Sequence, residues 1–236
     1  MSLSPARAHR ARTLAALSAA AAPAGGEVVG GAYELMLAQL VEHRRQLRDI
    51  QSVERKIEAK RVFLPAYRDW VEQTLEHGQG AQDQVLMTVL VWLIDVGDFG
   101  TALMVARYAL AHGLKMPDQY DRNLATVLLD EIGGAALSGK TLFGSECIRV
   151  LEQICEMTQG EDTPDQARAK VHKALGYAYM GRRGGSEVDV NQLDLPAARL
   201  ALQQCRRAYE LFEQVGVKKD IERLERRLKA ADDSGA

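Results

Sequence analysis

One stretch of the sequence matches a pattern with a defined chemistry. Residues 134–141 read Gly-Ala-Ala-Leu-Ser-Gly-Lys-Thr and fit the phosphate-binding pattern G-x-x-x-x-G-K-[ST] at every position. In such a loop the backbone N–H groups hold phosphates, Lys140 would reach the outer phosphates, and Thr141 would hold magnesium. The candidate nucleotide-binding residues are therefore Gly134, Gly139, Lys140 and Thr141.

The surrounding sequence does not favour a phosphate-binding loop. Such a loop lies between a buried parallel strand and a helix, whereas the residues before it follow a helical period and include Asp130 and Glu131. No alternation of strands and helices is present. The apolar run that ends at Asp95 resembles the second acidic motif of ATPases, but it precedes the loop, opposite to the usual order. We therefore predict a chance match and keep ATP binding as an alternative.

Other catalytic arrangements are weaker still. The pairs Asp95–Asp98 and Asp130–Glu131 are available for metal-dependent nuclease chemistry, although Asp98 has a simpler role as a helix cap. The five histidines are scattered, and no C-x₂-C or H-x₃-H pair is present, so a zinc site is not expected. We expect no metal, no cofactor and no catalytic residue.

Charge is unevenly distributed along the 236 residues. The net charge is only −2, yet residues 1–64 hold 10 basic and 6 acidic side chains, while residues 65–160 hold 6 and 13. A basic front end before an acidic middle predicts an anionic partner for the front end. Three cysteines without framework spacing favour reduced thiols in a cytoplasmic protein. The apolar runs are too short or too interrupted to span a membrane.

Helical periodicity predicts an all-α fold. Residues 85–94 are apolar on nearly every side, which predicts a buried central helix. Gly97 and Asp98 would join it to the next helix as an αα-hairpin that packs like a stacked repeat. We expect four regions: a flexible basic arm and linker (1–31), one long basic helix (32–64), a central helical core (65–160), and a helical hairpin with a charged C-terminal helix (161–236).

Two helices show a heptad-like rhythm that predicts pairing with another helix. The predicted oligomerisation or partner-contact residues are Met36, Leu40, Leu47, Ile50, Ile57, Ile221, Leu224 and Leu228. Basic residues occupy much of the remaining surface of the first helix. Several of them alternate with acids, whereas Lys60 and Arg61 stand less neutralised.

Four stretches resemble a known family. They are SPARAHRAR at 4–12, the block 80–117, PDQARAKVHK at 164–173, and GVKKDIERLERRLK at 216–229, with a weaker fifth match at 60–65. Together they resemble the small terminase subunit of Peduovirus-type (P-two-like) tailed bacteriophages. Their order and spacing span nearly the whole chain.

The resemblance implies a role in genome packaging. Small terminase subunits bind viral double-stranded DNA at the packaging site, form homo-oligomers that are often rings, and recruit the large ATPase–nuclease subunit. This implies the cytoplasm of the infected bacterial host and no membrane partner. The matching basic positions are Arg7, Arg12, Arg45, Arg48, Lys56, Lys60 and Arg61, and Arg10 of the basic arm joins them as a candidate DNA contact.

Three hypotheses follow from these observations. The first is a DNA-binding, oligomeric packaging adaptor without catalysis of its own, with the charged C-terminal helix as a contact for the large subunit or a neighbouring subunit. The second is a catalytic subunit, either an endonuclease, as members of this family are sometimes labelled, or an ATPase acting through residues 134–141. The third is a helical scaffold that does not itself contact DNA.

Overall fold

The computed structural model describes residues 5–117 and 121–234, and all regular secondary structure in these ranges is helical. The helices are α1 (Pro5–Ala21), α2 (Gly31–Asp49), α3 (Val53–Phe63), α4 (Arg68–His77), α5 (Gln84–Val96), α6 (Phe99–Ala111), α7 (Leu124–Ser138), α8 (Gly144–Met157), α9 (Asp165–Tyr179), α10 (Leu195–Leu211) and α11 (Lys218–Ser234). The all-α fold class is confirmed. No helix among the described residues is long and apolar enough to cross a membrane.

The chain divides into two compact units, Met1–Leu124 and Ala125–Ala236. The sequence suggested a boundary near residue 160, which would have left α7 and α8 with the preceding core. In the structure α8 packs against α9, and Gly133 of α7 lies against Val171 of α9. Both helices therefore belong to the second unit.

Helix α5 forms the centre of the first unit. Ten consecutive residues, Val85 to Ile94, are buried, so the helix has no solvent-facing side over that length. Gly97 ends it in the left-handed conformation (φ +86°), which glycine adopts without strain. One residue later Asp98 caps α6 by accepting a hydrogen bond from Thr101 N at 3.1 Å. The predicted αα-hairpin is therefore present.

A buried carboxylate fixes the start of α5. Asp83 is fully buried and accepts two hydrogen bonds, from Leu86 N at 2.9 Å and from Trp70 Nε1 at 2.8 Å. Trp70 stacks on Tyr33 with ring centroids 5.7 Å apart, and the Tyr33 hydroxyl accepts from Gln84 N. These contacts connect α2, α4 and α5. Burial raises the pKa of Asp83 from 3.8 to about 6.

The predicted single helix over residues 32–64 is wrong. The chain leaves the helical conformation at Ile50 (φ −89°, ψ 125°) and resumes it at Val53. Ser52 caps the second segment by accepting from Arg55 N at 3.4 Å. A serine side chain competes with helix continuation in this way, and the break allows α3 to pack against α5.

The described part of residues 1–31 is not a flexible arm. Helix α1 packs against α4, and its small side chains Ala15 and Ala19 are buried, as is that of Ala22 directly after it. The following segment is attached to residues 80–82 by backbone hydrogen bonds, including Gln82 N to Gly26 O at 2.7 Å and Val28 N to Gln82 O at 3.2 Å. Alanine side chains are small enough to allow the two helices to approach closely.

The second unit contains the predicted C-terminal hairpin and charged helix. Helices α9 and α10 pack closely where Gly176 faces Cys205. Leu224 of α11 is fully buried in this core, and Ile221 and Leu228 pack against it. The partner helix that the spacing in α11 required is thus α10 of the same chain.

The buried Asp83 predicts a pH-dependent term in stability. Because its folded pKa of about 6 lies above its ordinary value, the folded state binds more protons between about pH 4 and 6, and stability falls as pH rises through that window. We expect the unfolding free energy of the wild type relative to Asp83→Asn to decrease by up to about 3 kcal/mol between pH 4 and 7.5. Denaturant titrations of both proteins across this range measure it.

The comparison with Asp83→Asn removes the titration of other groups. Burial lowers the pKa of His43 and His172, so each of them makes the unfolding free energy rise with pH, opposite to Asp83. Because both histidines are present in the wild type and in the variant, their effects cancel in the difference. A difference between wild type and variant that is constant with pH would contradict the assignment.

Candidate nucleic-acid interface

Arg45, one of the predicted DNA contacts, is already engaged within α2. Its Nε and Nη2 donate to the two carboxylate oxygens of Glu42 at 2.9 and 2.8 Å, and its Nη1 lies 3.9 Å from Asp49. The hydrogen bonds that Glu42 accepts from Arg45, and then from Gln46, lower the pKa of Glu42 to about 2. Arg45 therefore offers little uncompensated charge to an external partner.

Lys60 was expected to be poorly neutralised, and the structure shows the reverse. Its ammonium group donates to Asp95, and its side chain is only 17% exposed. The neighbouring Arg61 is exposed, with Nη2 3.5 Å from the carbonyl oxygen of Val96. The partner was missed because Asp95 is 35 residues away in the sequence. The same ion pair accounts for Asp95, which the sequence offered as a metal ligand.

Arg48 and Lys56 are different, because neither has an ion-pair partner among the described residues. They lie on either side of the break between α2 and α3, with Arg48 exposed and Lys56 half-exposed. Arg55, which the resemblance did not select, is also exposed and has no ion-pair partner within residues 5–117 and 121–234. This break therefore presents three cations to solvent.

The basic residues of α1 divide in a similar way. Arg12 donates from Nε to Asp69 of α4 at 2.8 Å, an ion pair with the Arg12 side chain 58% exposed. Arg10 is exposed and has no such partner in the described part of the chain. The side chain of Arg7 lies outside what the structure describes.

An aromatic cluster holds the α2–α3 region against α5. His43 stacks on Phe63 at 3.9 Å, and its Nδ1 makes a hydrogen bond with the Tyr67 hydroxyl at 2.8 Å. Trp92 of α5 lies against both Phe63 and Tyr67. Burial lowers the pKa of His43, which favours the neutral ring at pH 7. His43 is thus a structural residue.

Three of the eight predicted self-association residues are buried within the chain itself. Leu40, Leu47 and Leu224 are 2%, 8% and 0% exposed, so they cannot form an assembly surface. The remaining five, Met36, Ile50, Ile57, Ile221 and Leu228, are half-buried. The heptad-like rhythm marks the inward faces of these helices. The large aliphatic side chains exposed on α2 and α3 are instead Leu35, Val41, Val53 and Val62, at 64–76%.

The Gly134–Thr141 segment does not form a loop between a strand and a helix. Residues through Ser138 are the last turns of α7, where backbone N–H groups bond to preceding carbonyls. Gly139 follows at φ +62°, its N–H donating to Ala135 O. A Cβ at Gly139 would lie 2.5 Å from the backbone nitrogen of Gly184. Helix termination and close backbone packing therefore explain this glycine without a nucleotide.

Within the residues described, no group of three or more His, Cys, Asp and Glu side chains is positioned to hold a metal ion. Asp98, the other acidic candidate near Asp95, caps α6. Asp130 forms an ion pair with Lys170. No metal-binding residue is therefore assigned here.

Comparison with known proteins decides the family. Residues 37–166, more than half of the chain, match the family described as phage small terminase subunit. The chain belongs to this family. That confirms the resemblance in the sequence, and it means that the fold described above is that of a small terminase subunit.

Two relatives extend the match over nearly the whole chain. The chain is 42% identical over 228 residues to "Terminase, endonuclease subunit" of Escherichia phage P2, covering 96% of this chain and 86% of that protein. It is 26% identical over 213 residues to "Probable terminase, endonuclease subunit" of Haemophilus phage HP1 (strain HP1c1), covering 87% and 74%. No solved structure matches this small terminase subunit.

The two glycines of residues 134–141 provide a test of their structural role. Gly139→Ala should lower the unfolding free energy by at least about 2 kcal/mol, because alanine is strained at positive φ and its methyl group meets the backbone of Gly184. Gly134→Ala should raise it by about 0.5 to 1 kcal/mol, since Gly134 is helical with open space around it. Chemical denaturation of both variants measures these changes.

The matched control is Lys140→Ala, at an exposed position. It should change stability by less than about 0.5 kcal/mol and leave ATP affinity as weak as in the wild type. Saturable ATP binding that is lost in Lys140→Ala would favour the phosphate-loop alternative.

Proposed function

We propose that this small terminase subunit binds viral double-stranded DNA at the packaging site, self-assembles into a homo-oligomer, and recruits the large terminase subunit in the cytoplasm of the infected bacterium. Family membership supports a role in the terminase. The observation on which the DNA contact rests is the pair of ion-pair-free cations, Arg48 and Lys56, at the α2–α3 break.

The proposed DNA surface consists of Arg48, Lys56 and Arg55, with Arg61 and Arg10 as further exposed cations. A lysine or arginine side chain that is not paired with an acid of the protein can neutralise a DNA phosphate without first breaking an ion pair. The counterions condensed on the DNA are then released, which is the main source of affinity for duplex DNA. Paired residues such as Arg45 must first lose an internal ion pair. The aromatic cluster of His43, Phe63 and Tyr67 keeps α2 and α3 in a fixed arrangement.

Self-assembly is assigned to the exposed aliphatic side chains of α2 and α3. Leu35, Val41, Val53 and Val62 are each more than 60% exposed, and association through α2 and α3 would remove these apolar side chains from water. For the large subunit, the outer side of α11 offers an alternating row of acids and bases, Glu222, Arg223, Glu225, Arg226 and Lys229, all exposed. Such a row gives orientation and partner choice more than affinity.

The DNA contact is tested with the double variant Arg48→Gln/Lys56→Gln. We expect the slope of log K against log salt for duplex DNA to become shallower by about 1.8, because two phosphate contacts are lost at about 0.9 each. Fluorescence anisotropy across a salt series, with the mass of the protein in solution recorded alongside, measures both affinity and assembly.

Arg12→Gln/Arg45→Gln is the matched control, since it removes the same charge from two cations that are already paired. Its slope should stay within about 0.5 of the wild type. Equal slopes for both double variants would mean that net charge, and not the α2–α3 break, determines binding. Full-length protein that assembles but ignores DNA at low salt would favour the scaffold alternative.

Intrinsic endonuclease activity is the second candidate, because both relatives are named endonuclease subunits. Incubation of the purified chain with packaging-site DNA and Mg²⁺ tests it directly. Cleavage at a fixed position that persists in preparations free of the large subunit would establish it, and the carboxylates to substitute first would be Asp95 and Asp130. Uncut DNA under these conditions, with cleavage appearing only on addition of the large subunit, is the outcome expected for an adaptor.

A further inference from the structure

A groove in the second unit has a charge pattern that the proposed function does not use. It has a volume of about 420 Å³ and lies between residues 182–190 and the beginning of α11. Its charged lining residues are Arg182, Glu187, Lys218, Lys219, Asp220 and Arg223. Four cations thus face two carboxylates in one concave site.

Arg182 is held in a fixed position at this groove. Its guanidinium group stacks over the ring of Tyr177 at 4.1 Å, and its Nη1 lies 3.7 Å from Asp220. The Tyr177 hydroxyl donates to the same carboxylate at 3.1 Å. The Nε atom of Arg182 is buried and has no hydrogen-bond partner among the described residues. A guanidinium group that is fixed in this way and whose side chain is still 24% exposed is suited to an oxyanion.

A further cation, Lys173, lies next to Tyr177. Lys173 donates to Val215 O at 2.7 Å, and its ammonium group lies 5.5 Å from the Tyr177 ring. Burial, and then repulsion from Arg182, lower the pKa of Lys173, while Asp220 raises it. Lys173 and Arg182 both lie over the Tyr177 ring, and Asp220 is the carboxylate that compensates both of them. An added anion would therefore reduce the repulsion between these two cations.

We propose that this groove binds a phosphate oxyanion. Arg182 supplies a planar donor group in a fixed orientation, and Lys218, Lys219 and Arg223 supply charge around the opening. The phosphate comes either from a nucleic-acid backbone or from a nucleoside polyphosphate, since both present the same oxygen atoms. The site lies in a different unit from the α2–α3 break and does not depend on DNA binding there.

Pyrophosphate is the probe for the shared chemistry. Calorimetric titration of the full-length protein should show saturable binding, at least tenfold weaker in Lys218→Gln/Lys219→Gln, whose side chains are exposed and outside the core. Arg182→Lys, which keeps the charge but not the planar donor group, should also weaken binding. The control Arg107→Gln/Lys115→Gln removes the same charge from exposed positions that do not line the groove, and should remain within twofold of the wild type.

Two outcomes would overturn the proposal: no saturable pyrophosphate binding by the wild type, or equal losses in the groove and control variants. Thermal melting of each variant identifies any loss caused by unfolding, in which case Arg223→Gln, at another exposed lining position, replaces it. The failure of DNA binding at α2–α3 leaves these results unchanged, so the two proposals are tested separately.

The source of the phosphate is distinguished by two further titrations. If the backbone of DNA occupies the groove, Lys218→Gln/Lys219→Gln will make the salt slope for duplex DNA shallower by about 1.8. If a nucleoside polyphosphate occupies it, ATP will bind more tightly than pyrophosphate and the slope for DNA will stay unchanged.

Discussion

A helix without a polar side must be covered on every side, and α5 imposes this requirement on the first unit. Ten consecutive buried residues leave no direction in which α5 can face water. Helices α2, α3 and α6 all contact it. The polar groups that accompany it inside are satisfied in pairs: Asp83 with Trp70 at its beginning, and Asp95 with Lys60 near its end. The position of the basic front helices follows from this covering.

The same covering sorts the basic residues into two classes. Lys60 lies on the side of α3 that faces α5, where it forms an ion pair with Asp95 that compensates its charge internally. Arg48 and Lys56 lie where the chain turns between α2 and α3, and no acid of the described chain pairs with them. A count of charges along the sequence cannot separate these classes, because pairing depends on contacts between residues that are distant in the chain. The proposed DNA surface is therefore smaller and more defined than the basic front end as a whole.

Glycine shows how one residue type serves different purposes in this protein. Gly97 ends α5, and Gly139 ends α7 while meeting the backbone of Gly184. Gly134 has neither role. A phosphate-binding pattern that includes two glycines can thus arise from a helix terminus and a close approach of two backbone segments of the same chain. The element before the pattern, a helix and not a strand, is what distinguishes the two cases.

The sequence by itself determined the helical class, the buried central helix, the cap at Asp98 and the family, because these depend on periodicity, on local hydrogen bonding and on the order of residues. It did not reveal the break at Ile50, since a heptad-like rhythm continues across it, or the ordered packing of α1, since alanine indicates only helix propensity. Tertiary structure decided which predicted contacts are available. Leu40, Leu47 and Leu224 are core residues, and Lys60 forms an internal ion pair with Asp95. Arg48 and Lys56, in contrast, remain accessible to solvent. Burial and pairing are properties of three-dimensional neighbours, and these neighbours are set only when the helices pack.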